Sequence, residues 1–404
     1  MKKNFNNTNV LLTYGWVRSS YAILRNLSQH GISVYVSDSG RLGMSQFSKF
    51  SKGYDKYHSM HDNKHEFIKD IIKISKKRNI NLIFPSHDET ELLAKNKKLF
   101  SNETSVLFPS YSTCKKFNNK SMAYDLAASL GISVPDRIVY NKPEDLVQLI
   151  TEKGYKKVVI KLLKGNSSKG VYYADTPKEA MNIVKSLIEK FELNKKRYPQ
   201  VEEYVYGEGW GHSVLYWKGE LVAEFTHQRL REKILTGGTS TMRKSAKKEK
   251  ISKAALKIFD KVKWHGLAMA EFKVCKETGK YWFIEINPRA WGSIPLAINC
   301  GVEFPYLAYL CATRGVKEAK VYNSNAKIKK SWKYKWVLGT VFLSFTYLFK
   351  GQFKLALQIL FEKADGYDDF YKDDKFVFLG QILRYAKNSI YKKSLNPIEK
   401  GMVG

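Results

Sequence analysis

A chain of 404 residues is longer than one small core organises, so several domains are expected. Its 44% hydrophobic and 14% aromatic content excludes wholesale disorder. The formal charge of +31 rests on lysines spread along the whole sequence, which leaves open a compositional bias, an anionic membrane surface or anionic substrates.

Basic residues are nowhere interleaved with aromatics and glycines as in a nucleic-acid motif, so no nucleic-acid partner is expected. Cys114, Cys275, Cys300 and Cys311 are scattered without CxxC or Cys/His spacing, and read as reduced structural thiols. The opening MKKNFNNTNVLL lacks the apolar run of a signal peptide. The expected location is the cytoplasm, with peripheral contact at the inner face of an anionic membrane as a further option.

In chain order, Val10 to Thr13 is an apolar run, and Tyr21, Ile23, Leu24 and Leu27 follow at helical spacing. Gly31 stops that helix and Ile32 to Val36 alternate as a strand. Phe67 to Ile74 repeats the helical period, and Asn81 to Pro85 reads as another buried strand. Strands alternating with helices predict a parallel, Rossmann-like sheet over residues 1–117. The turn Tyr14-Gly15-Trp16-Val17-Arg18 holds one glycine and no GxGxxG, so a dinucleotide site is poorly supported.

Residues 119–135 predict a helix closed by Gly131, and Lys157 to Lys161 a strand. The loop Lys164-Gly165-Asn166-Ser167-Ser168-Lys169-Gly170 leads to a strand at Val171 to Tyr173. Further strands are expected at 213–216, 223–226, 268–275 and 281–286, with a helix near 251–263. The polar, glycine-punctuated stretch from Arg229 to Arg243 reads as a mobile substrate or phosphate loop. Beyond residue 319 a basic stretch, Lys327 to Lys335, precedes the uncharged run Trp336 to Phe349. That run is shorter than the roughly 20 residues that span a bilayer, leaving a core helix or an interfacial segment flanked by lysines.

The strongest chemical signal is Phe283-Ile284-Glu285-Ile286-Asn287-Pro288-Arg289, taken with Ala270-Glu271-Phe272-Lys273. On a strand Glu285 and Asn287 share one face, and Ile284 and Ile286 the other. If Gly279 closes a three-residue loop in which Lys276 pairs with Lys280, Glu271 lies opposite Glu285. Facing carboxylates repel across a ladder unless a cation sits between them, and Mg2+ suits a few hard oxygens plus phosphates; the alternative is that one Glu reaches solvent or pairs with Arg289 or a lysine. Lys161, at the end of an apolar strand, adjoins a Gly/Ser loop whose N–H groups can cradle phosphate, with Lys120 as a second candidate lysine. Alone, such a loop is more often only a turn.

Taken in order, Asn119-Lys120, Val158 to Lys161, the 165–170 loop, Glu202 to Val205, Gly207-Glu208-Gly209, Glu271 to Lys273, and Ile284 to Arg289 with Trp291-Gly292-Ser293 resemble the ATP-grasp superfamily. The resemblance is to its carbamoyl-phosphate-synthetase-like carboxylate–amine ligases, over roughly residues 9–315. It implies an α/β (α+β ATP-grasp) fold: a Rossmann-like domain at 1–117, ATP-grasp lobes at 118–200 and 201–318, and a basic, apolar helical extension at 319–404. The implied cofactors are ATP and Mg2+, with Mn2+ able to substitute.

Residue roles carry over from the resemblance. Lys120, Lys161, Ser167, Ser168 and Gly170 would serve the phosphates. Glu202, Glu203, Tyr204 and Val205 would face adenine, and Glu208 the ribose. Glu271, Glu285 and Asn287 would ligate the metal, and Arg289, with Lys161, would act in catalysis. Arg18, Asp88, Arg229, Gly238 and Arg243 are the candidate substrate contacts. The implied reaction phosphorylates a small-molecule or glycan-linked carboxylate and passes its acyl group to an amine, giving ADP and phosphate. An ATP-binding protein without ligase activity, or with another acceptor nucleophile, is the alternative.

Overall fold

The computed structural model describes residues 8–100, 104–164, 170–234 and 237–392. The first sheet comprises β1 (Asn9–Leu12), β2 (Ser33–Asp38), β3 (Gly53–Lys56), β4 (Ile80–Phe84) and β5 (Ser105–Val106), in the order β3-β2-β1-β4-β5. Every ladder in it is parallel. Val10, Leu11 and Leu12 are wholly buried because helices cover both faces of a parallel sheet. Those helices include α1 (Arg18–Gln29), α2 (Lys64–Lys77) and α3 (Glu89–Lys95). The expected parallel sheet is present.

Two helices, α4 (Tyr111–Asn118) and α5 (Lys120–Ser129), lead into a smaller antiparallel sheet. Its strands β6 (Arg137–Ile138), β7 (Val158–Lys161), β8 (Val171–Ala174) and β9 (Gln200–Glu203) lie in the order β6-β9-β7-β8. They pack with α6 (Asp145–Lys153) and α7 (Pro177–Phe191) around Leu146, Ile160, Val184 and Val201.

The largest sheet has seven strands in the order β14-β13-β10-β11-β12-β15-β16. In chain order these are β10 (Glu208–Trp217), β11 (Glu220–Ile234), β12 (Gly237–Ser245), β13 (Gly266–Val274), β14 (Tyr281–Asn287), β15 (Lys333–Lys335) and β16 (Gly366–Tyr367). Helix α8 (Glu249–Lys261) covers one face, and α9 (Ile294–Asn299), α10 (Phe304–Thr313) and α11 (Val316–Ser324) follow β14. The described residues of the stretch from Arg229 to Arg243, expected as a loop, lie in paired strands, with Arg229 directly opposite Arg243 and register shifts on either side of Arg231. Its polarity misleads because the charges are matched rather than solvated. Arg229 meets Glu271 and Glu232, Arg231 meets Glu362, and Arg243 meets Asp368.

The C-terminal segment is not purely helical. β15 pairs antiparallel with β12, and β16 then adds parallel to β15. Between them stand α12 (Val337–Phe349) and α13 (Phe353–Phe361), and α14 (Phe376–Lys392) closes the chain. The apolar run read as either core or interface divides by face, with Leu338 and Leu343 buried and Phe345 and Phe349 exposed. Gly380 of α14 approaches the 43–47 segment so closely that a Cβ there would lie 2.5 Å from the Gly43 carbonyl.

An acidic loop after β16 ties this segment to the first domain. Arg18 and Arg243 each reach an oxygen of the fully buried Asp368 at 2.7 Å. Arg18 also lies 3.8 Å from the Trp336 ring. Arg25 pairs with Asp373 at 2.9 Å, and Asp374 accepts from Tyr21 at 3.2 Å and Ser48 at 2.5 Å. Asp369 accepts from the first N–H groups of α12, at Val337 and Leu338, and burial pushes its carboxyl up to about 7.

Asp368→Asn leaves two buried guanidinium groups without their anion, and a loss of about 3–5 kcal/mol in urea unfolding is expected. An unchanged midpoint would show that the triad contributes nothing. For Asp369 the native carboxyl holds a proton that the unfolded one releases between about pH 4 and pH 7. Stability from this group therefore falls as pH rises through that window. Asp369→Asn should flatten this dependence in unfolding curves recorded at several pH values.

Candidate active site

The β13–β14 hairpin brings Glu271 opposite Glu285, as the sequence predicted, but by a different route. The turn is closed by Cys275 and Lys280, not by Lys276 and Lys280, with Cys275 N–H on the Lys280 carbonyl at 2.8 Å. Gly279 supports the turn at φ +68°. From Val274↔Tyr281 the ladder runs to Phe272↔Phe283, and a bulge then inserts Ile284 before Glu271↔Glu285. The displacement at the turn and the bulge cancel. The bulge also sends Phe283 and Ile286 into one core while Ile284 stays half-buried, so Ile284 does not share the packing of Ile286.

Burial pushes the Glu271 carboxyl up to about 7; Arg229 opposes that shift and Glu285 adds to it. Arg229 lies 2.5 Å from Glu271 and 3.3 Å from Glu232, while the Asn287 amide donates to Glu271 at 2.9 Å. Among the described residues Glu285 makes no hydrogen bond or ion pair, although Lys120 senses its charge. Burial holds the Lys120 ammonium below the usual lysine range, and Glu285 opposes that shift. The hairpin register and the Asn287–Glu271 hydrogen bond bring two carboxylates and an amide near one another; among the described residues no group of three or more His, Cys, Asp or Glu could hold a metal ion. Such a set fits Mg2+, which takes few protein oxygens and fills its octahedron with water and phosphate.

Lys161 ends β7 almost fully buried, 2.5 Å from Glu202 and 3.0 Å from the Tyr124 hydroxyl. Its ammonium is held well above the usual lysine range by Glu202 and Tyr124 against the opposing effect of burial. Glu202, expected against adenine, therefore turns its carboxylate to Lys161, where Gln200 also donates to it at 2.7 Å. Glu203 is half-exposed, its carboxyl raised by burial and by Asp136. The Tyr204 ring packs edge-on between Tyr173 and Tyr206, and Val205 is buried. Glu208, the first residue of β10, accepts from Gln228 at 2.7 Å. Gly170 accepts from Leu162 N–H at 2.8 Å. Ser167 and Ser168 lie outside the described residues.

Arg289, just past β14, reaches across to the first domain, with Nε 3.4 Å from Asp88 at the start of α3. Two of the sequence candidates thus converge. Arg18 and Arg243 also converge, but on Asp368; Arg18 still borders Gly292, whose Cβ position would lie 3.4 Å from Nη2. Gly238 sits in β12. Sequence reasoning passed over Tyr124, Asp368 and His227. His227 is buried, with its Nε2 3.2 Å from Ser293 Oγ, and burial holds its imidazole neutral. The acidic DGYDD run inside a basic segment was the available signal for Asp368.

Residues 200–336 match a family model described as "ATP-grasp in the biosynthetic pathway with Ter operon". Biotin carboxylase 1 of Bacillus subtilis is 25% identical over 239 residues, covering 55% of this chain and 51% of that protein. The chain therefore spans about half the length of that curated relative. The structure is similar to a biotin carboxylase–βγ-ATP complex from Campylobacter jejuni, with a TM-score of 0.63 at 16% identity over 81% of this chain and 74% of the other. It is also similar to an L-amino acid ligase from Bacillus licheniformis, with a TM-score of 0.62 at 13% identity over 81% and 78% of the two chains. Residues 200–336 thus match an ATP-grasp family model, and the chain shares the fold of the biotin carboxylase and L-amino acid ligase structures.

The Lys161–Glu202 pair yields a direct expectation. Lys161→Met and Glu202→Gln should each destabilise by about 3–5 kcal/mol, since each strands a buried charge. The double variant should lose less than the two together, with a coupling of at least about 1 kcal/mol. Additive losses in a double-mutant cycle would show that the two side chains act separately.

Proposed function

We propose that this protein is an ATP-dependent ligase that activates a carboxylate as an acyl phosphate and joins it to an amine, releasing ADP and phosphate. The observation that carries the reading is the open oxygen set of Glu271, Glu285 and Asn287, bordered by the buried ammonium of Lys120 and by Arg289. It stands in an ATP-grasp frame, where Lys161 is held in place by Glu202 and Tyr124. The ligase among the similar structures supports the amine-acceptor chemistry.

A carboxylate resists attack by an amine because oxide is a poor leaving group. In the proposed reaction a carboxylate oxygen bonds to the γ-phosphorus of ATP and the bridging P–O bond to ADP breaks. The amine then attacks the acyl carbon, phosphate leaves, and the nitrogen gives up a proton. Bound at Glu271, Glu285 and Asn287, Mg2+ would neutralise charge on the phosphates. Lys161 and Lys120 add fixed positive charge, and burial strengthens it because little water screens it. Arg289, paired with Asp88, is assigned to stabilise the oxyanion of the tetrahedral intermediate. Glu203, Tyr204 and Val205 are assigned to adenine, and Glu208 to the ribose.

The finer reading is an acceptor carried on a small molecule or on a glycan-linked precursor, for which the charge of +31 favours an anionic partner.

ADP release with Mg-ATP, screened against carboxylate and amine pools, tests the proposal. Glu285→Gln should lower turnover by at least ~100-fold (about 2.7 kcal/mol), and chelation should abolish it reversibly. A Glu285→Gln variant as active as wild type would end this reading.

A further inference from the structure

We propose that the α12–α13 hairpin is a docking face for an anionic lipid surface, on which it lies flat. The two helices are 13 and 9 residues long. At 1.5 Å per residue they reach roughly 20 Å and 14 Å, well short of a bilayer core of about 30 Å. No helix among the described residues is long and apolar enough to cross a membrane. Yet α12 exposes Phe345 (51%) and Phe349 (89%), and α13 exposes Phe353 (63%), Leu357 (53%) and Phe361 (73%). The spacing of four places each set on a single stripe of its helix. The opposite sides, with Leu343, Ala356 and Ile359, are buried, so these phenylalanines are surplus to the core.

Charge selects the partner. Residues 319–404 hold 16 lysines and arginines against 7 acids. Most of the acids are turned inward or paired: Asp368, Asp369 and Asp374 are buried, and Glu362 lies 2.5 Å from Arg231. Lys350 and Lys354 stay exposed among the phenylalanines. An apolar stripe flanked by uncompensated lysines matches the boundary between acyl chains and anionic headgroups. A second copy of this chain would instead oppose lysine to lysine. The inference rests on this segment alone and stands apart from the catalytic proposal.

Flotation of the full-length protein tests it, comparing vesicles of phosphatidylcholine alone with vesicles that also carry phosphatidylglycerol. The protein should float with the anionic vesicles only, and less as salt rises. Phe349→Ser combined with Phe353→Ser should weaken partitioning at least ~10-fold, and Lys350→Glu with Lys354→Glu should do the same. Both pairs lie on the surface, and unchanged thermal melting would confirm intact folding. Failure of wild type to bind anionic vesicles would overturn the proposal, as would binding unaffected by either pair. A dimer in sedimentation that the serine pair disperses without lipid would assign the face to a second copy and also overturn it.

Discussion

A buried cation is tolerated in a protein interior only against an anion that is itself held in place, and this constraint organises the centre of the molecule. Lys161 is set against Glu202, Arg229 against Glu271, Arg289 against Asp88, and Arg18 with Arg243 against Asp368. Most of these pairs join segments far apart in the sequence. Arg289 belongs to the seven-stranded sheet and Asp88 to the parallel one, while Arg18 and Asp368 are 350 residues apart. Arg289–Asp88 and Arg18–Asp368 tie the first domain to the segments that flank the seven-stranded sheet, while Lys161–Glu202 and Arg229–Glu271 fix side chains within their own sheets. Stability and site geometry therefore share their residues.

Within the site the pairs are not equivalent. The pairs at Lys161 and at Arg18 are deeply buried. The hairpin carboxylates differ: Glu271 has a close ion pair with Arg229 and a donor in Asn287, whereas Glu285 has neither a hydrogen bond nor a close ion pair among the described residues and feels the charges of Lys120 and Arg229. On the proposed reading, this face of the strand pair, beside the buried Lys120, would take a ligand that carries both cation and anion. Metal-bound phosphate has that character.

The parallel sheet was readable because Val10 to Leu12 and Leu82 to Phe84 are apolar on both faces, and burial writes itself into composition. The Glu271–Glu285 opposition was readable from spacing, although the sequence carries no mark of the bulge at Ile284 that produces it. Periodicity failed at Arg229 to Arg243, because a strand whose charges are paired with residues 42 to 131 positions away looks like a solvent loop when read locally. Glu202 illustrates the same limit: its neighbours in sequence suggest an adenine linker, while its partner Lys161 comes from the adjacent strand. Local pattern reports burial well and pairing poorly.

Because β15 and β16 complete the seven-stranded sheet, a chain growing from its N-terminus makes β12 long before its partner exists. Until residue 333 has been synthesised, β12 presents an open hydrogen-bonding edge, and Arg18 and Arg243 wait longer still for Asp368. Such an edge is a template for pairing with other chains, and contacts this distant in sequence form slowly. The last fifth of the polypeptide therefore covers a strand edge that the earlier elements leave open, and the sheet's protection against edge pairing depends on the segment made last.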